Sequence, residues 1–229
     1  MHIGLLYAMS EERTAFMSRL SACTTEQFEG LTVYVTQIGV HTLALVECGI
    51  GKVNAAVAAT KLIRFKPIDL LISTGVSGGL QLEPESLVFA HAVAYHDVDV
   101  RAFGRYVKGQ LPNMPAYFKA DEKALATALA CAQEQGIESH VGMVVSGDQF
   151  LTESAQLEDM LTLYDDVRAT DMEAAAVAHV ATMEGVPFLI VRSISDRLDA
   201  PGQIDDFKKF LDRAADKAAN IVHALVHAL

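Results

Sequence analysis

The chain has 229 residues, 51% of them apolar, enough to bury a substantial core without disulfide or metal staples. Acids outnumber bases by 29 to 18, a net charge of −11 that repels a phosphate backbone and argues against nucleic acid as partner. No apolar run reaches the length of a membrane span, and the start "MHIGLLYAMSEE" meets acids where a signal peptide carries bases, so a cytoplasmic protein is expected.

In chain order, residues 2–8 read as a first strand, followed by an amphipathic helix with Phe16, Met17 and Leu20 on one side. "LTVYVTQIGV" and "TLALVECGI" form a strand pair around Gly39 and His41. "GKVNAAVAATKLIRF" is helical, with Val53, Ala56, Val57, Thr60 and Ile63 near one face. A strand from Asp69 to Thr74 breaks into the glycines of "STGVSGGL", and "LVFAHAVAYHDVDV" is another long strand. Residues 101–118 have no clear period, and their aromatic content marks a long functional loop. A helix (121–135), a strand (140–146), a short helix (about 153–163) and the helix opening at "TDMEAAAVAH" come next. The strand "PFLIVRSIS" then leads to a last helix from near Asp205, with Phe207, Leu211, Ala214, Ala218, Ile221 and Leu225 on its apolar stripe. Alternating apolar strands and helices, with no linker or repeat, predict a single α/β domain, 1–229, around a central mixed twisted sheet flanked by helices.

Ligands in such sheets gather at the carboxyl ends of strands, and there this chain collects glycines and acids: "AMSEE", "GIGKVNAA", "STGVSGGL", "SGDQF" and "RSISD". "GIGK" lacks the full phosphate-loop spacing and suits either a close approach of backbone to a ligand or a tight turn into a helix. Glu12, Asp171 and Glu173 each allow two readings, helix capping or a carboxylate aimed into a cleft. Asp196 closes a nearly apolar strand, either as a cap or as an acid whose pKa is raised by burial. Arg192 on the same strand needs an acidic partner, with Asp171 and Glu12 as the candidates. The cysteines Cys23, Cys48 and Cys131 read as reduced thiols, Cys48 as a small core residue. His223 and His227 are four apart with no third ligand near in sequence, and neither metal nor cofactor is expected.

"IGLLYAMSEE", "GIGKVNAA", "TGVSGGL", "YHDVDVRAFG", "GQLP", "VSGDQF", "DMEAAAVAHV" and "VRSISD" follow one another as in the bacterial 5′-methylthioadenosine/S-adenosylhomocysteine nucleosidases, which the chain resembles from Ile3 to the helix of Phe207. The resemblance implies a nucleoside phosphorylase-like fold and an enzyme of methionine salvage that hydrolyses the N-glycosidic bond of adenine thionucleosides. It implies Glu12 as activator of the water, Asp196 as the acid on the purine, and Arg192 as a helper in holding the water. It places Glu173 on the ribose hydroxyls, Met172 under the sugar, Phe150 and the Leu151 backbone on adenine, with Gly78 and Ser195 also at the substrate. Met9, Ile50 and Phe207 would line the alkylthio end, and Phe103 and Pro112 would complete the partner's pocket in a homodimer.

The alternatives are a nucleosidase preferring 5′-deoxyadenosine or aminofutalosine, a purine nucleoside phosphorylase, and a non-catalytic nucleoside-binding domain. Phosphate needs cations, and only Arg13 lies near Glu11 and Glu12 while "STGVSGG" has none, so hydrolysis is favoured. The chain departs from the family at Asp171, where glutamate is common, at Val76, where serine is common with Ser77 here following, and by an extra residue near Tyr106 and Val107. The first two bear on hydrogen bonding to the water, the third on alkylthio specificity.

Overall fold

Val88, Phe89 and Ala90 are buried in succession, as are Leu189, Ile190 and Val191, so both pleat faces of these strands are covered. They belong to one sheet in a computed structural model that describes residues 1–198 and 200–229. The first half of the chain runs β1 (His2–Tyr7), α1 (Ser10–Met17), β2 (Thr24–Phe28), β3 (Leu31–Ile38), β4 (His41–Glu47), α2 (Lys52–Phe65), β5 (Leu70–Gly79) and β6 (Leu87–Tyr95). The second runs β7 (Phe118–Lys119), α3 (Glu122–Glu134), β8 (Ser139–Ser146), α4 (Glu158–Leu163), β9 (Val167–Asp171), α5 (Ala174–Glu184), β10 (Phe188–Arg197) and α6 (Gln203–Ala228).

The strand order is β10-β6-β8-β9-β5-β1-β4-β3-β2, with β7 on β6. Because β10 also pairs with β5, five strands close on themselves, and β1, β4, β3 and β2 extend from β5 as a wing. The pairs are mixed: β1 is parallel to β4 and β5, and β10 is parallel to β5 but antiparallel to β6. This is the mixed α/β architecture expected. The ring closes where Gly78 faces Thr170 and Gly79 faces Ala169. A Cβ on Gly79 would press on Ile194 of the neighbouring strand, so closure depends on its missing side chain.

Several local expectations are corrected. β5 does not break at Thr74 but runs through the glycines to Gly79. The polar edge strand β2 and the short strand β9 went unread, and α6 begins at Gln203 rather than near Asp205. Asp171 ends β9 instead of opening a helix, and α5 starts at Ala174. In α2 the buried residues are Ala55, Ala58, Ala59 and Leu62, whereas Val53 and Val57 are exposed. Alanines face inward because α2 packs closely on alanine-rich α5, and close helix contact selects small side chains. Residues 101–118 are largely irregular as expected, with one 3-10 turn at Arg101–Phe103.

Candidate active site

Glu12 sits at the third position of α1, after its N-cap Met9. Its Oε2 accepts from the N–H groups of Ala8 (2.8 Å) and Met9 (3.0 Å), the reach back to the cap that a glutamate makes there. Its Oε1 accepts from Val76 N–H on β5 at 2.9 Å. Capping and cleft are therefore not rival readings: one oxygen caps, the other lies against the glycine strand. A Cβ on Gly75 would overlap Glu12 Oε1, so that glycine makes room for the carboxylate. Burial raises the Glu12 pKa, against the opposing pull of the Val76 N–H, Arg192 and the other two amides. Position 76 serves through its backbone, so valine there removes no donor from Glu12.

Asp171 is spoken for on every side. It accepts from Ser146 Oγ and from the N–H groups of Glu173 and Ala174, which caps α5. Its Oδ2 accepts from Nε of Arg192 at 2.8 Å and forms an ion pair with Nη2, also at 2.8 Å. Nη2 donates to Ser73 Oγ and Nη1 to the Val191 carbonyl. Of the two candidate partners for Arg192, Asp171 makes the ion pair, and Glu12 lies within electrostatic reach.

Glu173, at the N-cap of α5, turns its side chain away from its own helix: Oε1 accepts from Gly51 N–H at 2.7 Å. Gly51 has φ 99°, a conformation that favours glycine, so "GIGK" serves as the tight turn. Lys52 bonds Asp97, and Asp148 accepts from Lys52 N–H, so this lysine is not free for a phosphate. Burial, then the charge of Asp171, raises the Glu173 pKa to about 7. Cys48 lies beside these acids, partly buried against the hydrophobic core; burial and the charges of Glu173 and Glu12 push its thiol up to about 12.

Asp196 is only 1% exposed. Oδ1 accepts from Ser195 Oγ at 2.7 Å and Oδ2 from Gln203 Nε2 at 2.7 Å. Burial raises its pKa against these two donors.

Glu12, Asp171, Glu173 and Asp196 line one cleft of about 110 Å³, with Met9, Ile50, Val76, Ser77, Gly78, Phe150, Met172, Ser195 and Phe207. Leu151 lines its deeper end beside Gln203, and Arg192 lies against a small chamber behind Glu12. Phe150 and Phe207 meet edge to face at 5.9 Å across the opening. Ser77 Oγ is buried without a hydrogen-bond partner among the described residues. Phe103, 74% exposed, and Pro112 do not line this cleft within the single chain. A roomier depression lined by Glu83, Asp165, Arg168 and Arg197 gathers none of these acids, so chemistry rather than size selects the cleft. Sequence reasoning missed Gln203, Ser146, Gly75 and the amides of Ala8 and Gly51. Only the glycines left a signal there, since amide donors are set by the backbone path. Among the described residues no cluster of three or more metal-ligating side chains occurs.

A family model described as the phosphorylase superfamily matches residues 2–227. The 5′-methylthioadenosine/S-adenosylhomocysteine nucleosidase of Neisseria meningitidis, solved with methylthio-immucillin-A, is 33% identical with a TM-score of 0.94, covering 100% of this chain and 99% of that one. The S-adenosylhomocysteine nucleosidase of Streptococcus pyogenes, in complex with 5-methylthiotubericidin, is 31% identical with a TM-score of 0.94, covering 100% and 97%. The futalosine hydrolase of Helicobacter pylori is 28% identical with a TM-score of 0.93, covering 100% and 98%. The chain belongs to the phosphorylase superfamily and, within it, to the family of the 5′-methylthioadenosine/S-adenosylhomocysteine nucleosidases.

Proposed function

We propose that the cleft hydrolyses the N-glycosidic bond of 5′-methylthioadenosine and S-adenosylhomocysteine, releasing adenine and the thioribose. The observation that carries this reading is the convergence of Glu12, Glu173 and Asp196 on one cleft whose arginine is already paired. Breaking the C1′–N9 bond leaves positive charge on the ribose and sends the electron pair into the purine. Carboxylates by the sugar favour the first, and a protonated acid on the base relieves the second.

In this reading Asp196, whose pKa burial raises, gives its proton to N7 as the bond breaks. Water adds its oxygen to C1′ and yields a proton to Glu12, with Arg192 close by. Glu173 holds the ribose hydroxyls over Met172, Phe150 stacks on adenine, and the Leu151 backbone meets its edge. Met9, Ile50 and Phe207 take the 5′ substituent. Phosphate is a poor co-substrate here: Arg192 is occupied by Asp171, Lys52 by Asp97, and Arg13 by Glu47.

The reading extends to a single domain acting as a homodimer in a reducing cytoplasm, in methionine salvage. Exposed Phe103, Val53 and Val57 support a partner surface, and the three unpaired cysteines support the setting. The test is adenine release from methylthioadenosine, adenosylhomocysteine, 5′-deoxyadenosine and aminofutalosine, compared by kcat/KM. The two thionucleosides are expected to lead. Clear preference for aminofutalosine would move the chain to the activity named for the Helicobacter pylori relative, and no release from any would overturn the enzyme reading.

A further inference from the structure

Gln203 is the first residue of α6, and its side chain is buried at the deep end of the cleft. Nε2 donates to Asp196 Oδ2 at 2.7 Å and to the Leu151 carbonyl at 2.9 Å. The Leu151 carbonyl only accepts, so the nitrogen end of the amide must face it, and the second N–H of that nitrogen meets Asp196 Oδ2. The other end, Oε1, is buried with no hydrogen-bond partner among the described residues. The amide is thus half satisfied, in a cavity it shares with Gly78, Phe150, Thr170 and Met172.

Adenine carries the same donor pair. Its exocyclic amine places two N–H bonds on one trigonal nitrogen, between N7 and N1. A base whose N7 meets Asp196 and whose far edge meets the Leu151 backbone brings that amine between the same two acceptors. We propose that Gln203 is a built-in competitor for the exocyclic amine: its amide holds the amine's place in the empty site, yields as the base enters, and returns as adenine leaves. This rests on the reading of Asp196 and Leu151 as the base end of the cleft. Each hydrogen bond adenine makes there replaces one that Gln203 made, so the product is held less tightly than its contacts suggest, and its release is eased.

The test is calorimetric binding of adenine, and of purine without the amine, to the full-length wild type, Gln203→Ala and Gln203→Met. Methionine keeps the bulk without the donors, so it carries the test where the smaller residue fails to fold. Adenine is expected to bind both variants about tenfold more tightly than wild type, the scale of one net hydrogen bond. Purine, which leaves Gln203 in place, is expected to bind all three alike. Equal or weaker adenine binding by the variants overturns the competitor, as does an equal gain for purine, which would show that space and not the amine is contested. Wild type that binds no adenine at all overturns the base-end reading beneath it, a different failure.

Discussion

Asp171 Oδ2 accepts a hydrogen bond from Arg192 Nε and lies in ion-pair contact with Nη2, both at 2.8 Å, with both side chains buried. The pair is the electrostatic floor of the cleft: it holds a guanidinium near Glu12 while denying it to an outside anion. Removing one member strands the other. Asp171→Ala is expected to destabilise the fold by about 3–5 kcal/mol, read from denaturant unfolding, because it leaves a buried arginine uncompensated and α5 uncapped. A loss under about 1 kcal/mol, the value of an exposed pair, would show the bridge to be solvated.

Glu12 depends on a residue with no side chain. Gly75→Ala is expected to cut kcat by more than about 100-fold, the scale of a lost general base, because the new methyl takes the place of Oε1, and to lower melting as the buried carboxylate loses the Val76 N–H. Glu12→Gln should lose a similar factor. Near-normal turnover of either variant would remove Glu12 from the role of base.

Asp196 as acid has its own signature. Asp196→Asn is expected to lower kcat on methylthioadenosine by about 10²–10⁴. The same variant should lose far less on a 4-nitrophenyl riboside, whose leaving group departs without a proton. Equal losses on both substrates would assign Asp196 to binding rather than proton transfer.

Glu173 carries a pKa raised to about 7 by burial and by the charge of Asp171, with Gly51 N–H and Arg192 opposing and Glu12 adding to the rise. If its carboxylate holds the ribose, kcat/KM should fall as pH drops through about 7, and Glu173→Gln should lose that limb. Stability runs the other way. Between the ordinary glutamate value and about 7 the folded chain holds the extra proton, so stability declines as pH rises through that window. Glu173→Gln should therefore melt higher relative to wild type at pH 8 than at pH 4.5. Parallel melting curves at both pH values would contradict the raised pKa.

The apolar strands and the long helices were legible in the sequence because burial on one or both faces writes a period into the residues. β9 was not, since "VRATD" is short and carries Arg168 and Asp171, and its place comes from the ring it closes. The inward face of α2 was misread because close packing on α5 prefers alanine to valine, the reverse of a hydrophobicity ranking. Of the site, the four acids were visible, Glu12 and Asp196 after strands and Asp171 and Glu173 at an expected helix start. Which of them caps, which pairs with Arg192 and which faces the cleft depends on a fold of the chain that brings Val76, Gly51 and Gln203 to them.

In the proposed reaction water, activated at Glu12, is the nucleophile. Methylthioadenosine turned over in ¹⁸O-labelled water, in phosphate-free buffer and again with phosphate added, tests it most directly. Mass spectrometry of the sugar is expected to show one ¹⁸O in free methylthioribose, with phosphate leaving the rate unchanged. A product that appears only with phosphate, as methylthioribose 1-phosphate without label, would make phosphate rather than water the nucleophile.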